Sequence, residues 1–107
     1  MLQDEQFEVD RELGRAVLAR MPQGWHAVTL RAECKPGAGD KESYQLSFET
    51  APGVPGSMVA DESMEFAVRK LFLLHRRYAT GLKVATYLFR QRPDERWAWS
   101  ADYEYED

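Results

Sequence analysis

The stretch Arg96-Trp97-Ala98-Trp99-Ser100-Ala101-Asp102-Tyr103-Glu104-Tyr105-Glu106 carries the clearest alternation in the chain. Trp97, Trp99, Ala101, Tyr103 and Tyr105 fall on one side of a period of two; Ala98, Ser100, Asp102, Glu104 and Glu106 fall on the other. That period is the signature of a β-strand with one buried face. Here the second face is acidic. Pro93-Asp94-Glu95 immediately before it is turn chemistry, and Leu82–Arg92 before that reads as a strand. In it Leu82, Val84 and Leu88 alternate with Lys83, Ala85, Tyr87 and Phe89, so both of its faces hold apolar residues. The two strands predict an antiparallel hairpin.

Working outward, Asp61 is suited to cap a helix running to about Thr80, with Glu62 and Glu65 in its first turn. Met64, Ala67, Val68, Leu71, Leu74, His75 and Tyr78 form its apolar stripe, and Gly81 is the expected residue just past its end. Ala51–Ala60, with Pro52, Gly53, Pro55 and Gly56, is a crossing loop. Lys41–Thr50 and Trp25–Lys35 alternate again, joined by Pro36-Gly37-Ala38-Gly39-Asp40, and predict a second hairpin. Asp4–Met21 repeats apolar residues at Val9, Leu13, Ala16, Val17 and Met21, one helix face, ended by Pro22 and Gly24. The expectation is one α+β domain over residues 1–107, a two-layer αββαββ arrangement. An antiparallel four-stranded sheet carries both helices on one face, because that buries two amphipathic helices and one-sided strands most simply.

Composition narrows the function. The chain has 107 residues, 44% hydrophobic and 30% charged, with formal charge −4. These are values of a folded globular domain. The net charge disfavours general binding to nucleic acid or anionic membrane. The single cysteine, Cys34, excludes an internal disulfide framework and a multi-cysteine zinc site. The N-terminal Met-Leu-Gln-Asp-Glu-Gln-Phe-Glu is acidic and lacks the basic and apolar regions of a signal peptide, which points to a cytoplasmic protein.

Chemistry-bearing motifs are few. Cys34 with His26 or His75 is the one conceivable nucleophile pair, but Cys34 lies on an apolar strand face and His75 on an apolar helix stripe, the ordinary places of buried structural residues. The histidines match no metal spacing, and the carboxylates at 102, 104, 106 and 107 spread along a strand instead of converging. Gly37-Ala38-Gly39 lacks the third glycine and following helix of a phosphate cradle. No catalytic residue and no cofactor are expected.

Charge is segregated along the chain. Arg69, Lys70, Arg76, Arg77, Lys83, Arg90 and Arg92 form a run without an acid, while Asp94, Glu95, Asp102, Glu104, Glu106 and Asp107 follow with only Arg96 among them. Lys83, Arg90 and Arg92 are placed to pair with the last strand's acids across the hairpin. The aromatic face of that strand fits core, since alternating aromatics fill a helix-covered sheet face. Its acidic face suits a basic protein partner, through charge steering with aromatic anchors nearby. The competing explanation is an ordinary edge strand whose charges prevent aggregation.

The helix leading through Pro22-Gln23-Gly24 to Trp25, the Tyr44–Phe48 strand, the Pro/Gly loop, the long second helix and the closing Trp97-Ala98-Trp99 with Asp102-Tyr103-Glu104-Tyr105-Glu106-Asp107 together resemble the YezG-like immunity proteins, antitoxins of bacterial polymorphic toxin and contact-dependent inhibition systems. The resemblance covers nearly the whole chain; Glu106 stands where the family has an aspartate after the tyrosine. It implies a non-enzymatic protein that neutralises the C-terminal toxin domain delivered by a competing cell. Such a toxin is commonly a nuclease, basic because its substrate is polyanionic. The candidate partner-binding residues are then Asp102, Glu104 and Glu106 on the strand, Asp94, Glu95 and Asp107 at its ends, and Glu49 if the second strand neighbours the fourth. The alternative is a homodimerising or adaptor module using the open sheet face; the oligomeric state stays open.

Overall fold

The computed structural model describes residues 1–36 and 42–106. The elements are α1 (Leu2–Ala19), β1 (Ala27–Pro36), β2 (Glu42–Glu49), α2 (Glu62–Arg77), β3 (Leu82–Gln91) and β4 (Trp97–Tyr105). The expected αββαββ order and antiparallel sheet are present, with strand order β2-β1-β3-β4. The turn read at Pro36–Asp40 lies, after Pro36, outside the described residues, as does Asp107.

α2 begins where its cap chemistry dictates. The Asp61 carboxylate accepts from the Met64 N–H at 2.9 Å, satisfying one of the donors a helix start leaves over. Its end differs from expectation. Ala79, not Gly81, takes the left-handed position, with φ 54°, and the Thr80 and Ala79 N–H groups close onto the His75 and Arg76 carbonyls. That is a Schellman ending with alanine at its left-handed residue. Gly81 (φ 75°) instead leads into β3, its carbonyl accepting from the Glu106 N–H. Trp25, expected in β1, precedes it; its ring is buried and its indole N–H donates to the Pro55 carbonyl at 2.9 Å. The crossing loop is fastened to the core by that bond.

One sheet face meets the helices. Val28, Leu30 and Ala32 of β1 and Ala85, Tyr87 and Phe89 of β3 pair side by side and are almost fully buried with Leu13, Val17, Met64, Val68 and Leu71 of the helices. Tyr44 of β2 stacks on Phe72 of α2 at 5.2 Å between ring centres. The helices are tied to each other by Arg20–Asp61, Lys70–Glu12 and Arg77–Glu5, at 2.8, 3.0 and 2.8 Å. Part of the charge segregation is therefore structural: acids of α1 face bases of α2.

Candidate functional site

The open face of the sheet is built from the other half of each alternation. Ser47, Arg31, Thr86 and Asp102 form one row across β2-β1-β3-β4; Gln45, Glu33, Val84 and Glu104 form the next. A register shift between Leu82 and Val84 breaks β3's simple alternation. Leu82 packs on the helix-side core, while Val84 lies between Glu33 and Glu104, only 2% exposed. Such a bulge lets neighbouring residues serve opposite faces.

On this face the Arg31 guanidinium donates to Glu33 at 2.9 Å. That bond, with a smaller contribution from the charge of Lys35 and Lys83, holds the Glu33 carboxyl below the usual carboxylate range. Asp102 and Glu104 are exposed, and among the described residues neither side chain makes a hydrogen bond or ion pair. The cross-hairpin pairing expected of Lys83, Arg90 and Arg92 is not formed among the described residues. Arg90 stands opposite Ala98, and Lys83 sits at the bulge.

The other candidate acids do not form one patch. Asp94 and Glu95 are at the β3–β4 turn, at the far end of β4 from Glu106. There the Asp94 carboxylate accepts from the Arg96 N–H at 3.0 Å, and Glu95 adopts φ 69° to close the turn. Glu49 is a correction: β2 and β4 are opposite edges, so Glu49 stands across the full width of the sheet. The reason is that β1, not β2, pairs with β3. The surface that remains is Asp102 and Glu104, with Glu106 beyond the strand end.

The aromatic row of β4 faces the helix side but lies at the margin of helix cover. Trp97 and Tyr103 are half-buried, whereas Trp99 and Tyr105 are 41% and 48% exposed.

Beneath it runs a polar network that sequence inspection missed. Asp10 of α1, 5% exposed, accepts from the Tyr87 hydroxyl at 2.6 Å and from Tyr103 at 3.3 Å. Burial pushes the Asp10 carboxyl up, opposed by those hydrogen bonds and one from Gln6. Burial likewise raises both tyrosines, Tyr103 to about 12. Gln6 also bonds His75 Nε2 at 2.6 Å, while Nδ1 meets Thr80 Oγ1 at 2.8 Å. His75 is 1% exposed, and burial lowers its pKa. With both ring nitrogens so engaged, the imidazole does not serve Cys34, although both line a cleft of about 450 Å³ at the end of α2. The signal for Asp10 was in the spacing: Gln6, Asp10, Leu13 and Val17 share one helix face.

Among the described residues no group of three or more His, Cys, Asp or Glu is placed to hold a metal ion, and no helix is long and apolar enough to cross a membrane. No protein-family model matches the chain, and no curated protein matches it.

Proposed function

We propose that this chain is an immunity protein of the YezG-like kind, acting in the cytoplasm, which neutralises a basic toxin domain of nuclease type by binding it through the acidic part of the open sheet face. The observation that carries this reading is the contrast between the acids. Glu5 and Glu12 of α1 are engaged in bridges to α2, whereas Asp102 and Glu104 stand exposed on a regular strand with no internal partner among the described residues. Unpaired like charge on a rigid sheet adds nothing to the fold, and it steers a cationic partner. The half-exposed Trp99 and Tyr105 lie on the same strand and supply aromatic area at its edge.

The test is co-purification of the tagged chain with the products of neighbouring reading frames. A basic domain that elutes at one-to-one stoichiometry, kills when expressed alone and is harmless with this chain would support the proposal. A chain that elutes alone would count against it.

A further inference from the structure

We infer that the free edge of β4 is a homodimer interface, at which two copies pair antiparallel about Ala101 to make one continuous sheet. The inference goes beyond the toxin reading and does not depend on it. Among the described residues β4 is bonded on one side only, to β3. The Arg96 carbonyl accepts from Arg92, and the Glu106 N–H donates to Gly81. Alternation in an antiparallel ladder therefore points the backbone groups of even-numbered residues toward β3. Those of Trp97, Trp99, Ala101, Tyr103 and Tyr105 point outward, without a strand partner among the described residues. Natural edges are blunted by short length, by charged side chains, lysine above all, by proline or by a bulge. β4 contains no proline or lysine, and the only shift in this hairpin's register is on β3.

The strand is complementary to itself in one register. Antiparallel about Ala101, Trp97 meets Tyr105 of the second copy, Trp99 meets Tyr103, and Ala101 meets itself across the axis. Each of these odd-numbered pairs exchanges two backbone bonds, about ten in all. On the open face Arg96 meets Glu106, Ala98 meets Glu104, and the Ser100 hydroxyl faces Asp102. Sliding by two residues one way sets Asp102 against Asp102; sliding the other way leaves Tyr105 without its aromatic partner. Charge excludes one of these slides and aromatic pairing the other, so the two together select the register. The same pairing covers the exposed Trp99 and Tyr105. Phe7, 53% exposed, lies one turn from Asp10 on the helix line that meets Tyr103 and Phe89, and so borders the same seam.

Sedimentation equilibrium on the purified chain, up to the hundred-micromolar range, is the test. A dimer is expected, with the Trp99, Ala101 and Tyr103 amides protected from hydrogen exchange at high concentration and not on dilution. Ala101→Pro removes an outward N–H and leaves the β3 ladder intact, so it should give a folded monomer. Arg96→Glu and Glu106→Arg should each weaken the dimer roughly tenfold, and the two together should restore it, because every swapped pair occurs twice by symmetry. This second arm stands even where the proline variant fails to fold. A wild-type monomer at every concentration overturns the inference, as does a dimer whose swapped variants show no rescue. A wild-type monomer that loses toxin binding on Ala101→Pro would assign the edge to the toxin, and equally overturns it. Failure to find a toxin leaves the dimer measurement unaffected.

Discussion

Tyr87→Phe keeps the ring and deletes one hydroxyl, the donor to Asp10 at 2.6 Å in a setting where Tyr87 is 1% exposed. A hydrogen bond to a charged group contributes about 1.5–3 kcal/mol. Tyr103 at 3.3 Å keeps one donor on the carboxylate, which favours the lower half of that range. The expected loss is about 2 kcal/mol, or about 8 °C in Tm for a domain of this size. The pH dependence has a definite sign. Burial raises the folded-state pKa of Asp10, so the folded chain holds this proton more tightly than the unfolded one. Stability from this group therefore falls as pH rises from the ordinary value, about 3.9, through the raised folded value. Removing Tyr87's bond to the ionised form raises that value further, so the Tyr87→Phe penalty should be largest near neutrality and shrink on acidification. Asp10→Asn, which keeps an acceptor without the charge, should reduce the Tyr87→Phe penalty to about 1 kcal/mol. Thermal melts of the four proteins across the acidic range supply the data. A Tyr87→Phe Tm within about 2 °C of wild type, or a penalty independent of pH, would refute the reasoning.

Other expected outcomes follow from single contacts. Leu71→Ala opens a fully buried site between helix and sheet and should cost about 3 kcal/mol in chemical denaturation. Ala79→Gly relieves the left-handed alanine at the end of α2 and should stabilise by several tenths to about 1 kcal/mol, read as a higher denaturation midpoint. Asp61→Ala should lower Tm while Asp61→Asn retains most of it. The Met64 N–H and then Arg20 hold the Asp61 carboxyl low, so its stabilisation is present above its ordinary value and is lost as pH falls through the lower folded one.

How far the fold was legible follows from where each signal resides. β4 announced itself because its period of two is local, and the two hairpins because their turns are local. The neighbour relation of β1 and β3 is not local: α2 and the crossing loop separate them, and no short-range pattern ranks the possible strand orders. Glu49 was misplaced for that reason. Val84 was read with Leu82 because a bulge is one residue of irregularity that alternation cannot reveal. Asp10 fell outside the apolar set read for its helix, although its spacing from Leu13 and Val17 places it on the same face. The basic run of α2 was legible as charge, but its use, in bridges to Glu5 and Glu12, depends on helix packing. For the candidate site, the alternation placed Asp102 and Glu104 on the exposed face; that these two, and not the turn acids, share one surface required the sheet.

The most direct measurement is protection of cells expressing the proposed toxin partner by this chain carrying Asp102→Lys and Glu104→Lys, with its Tm recorded in parallel. Because both side chains are exposed and without internal partners among the described residues, Tm should stay within a few degrees of wild type while protection is lost. Full protection by the doubly reversed variant, folded as the wild type, would contradict the assignment of the acidic sheet face as the surface that neutralises the toxin.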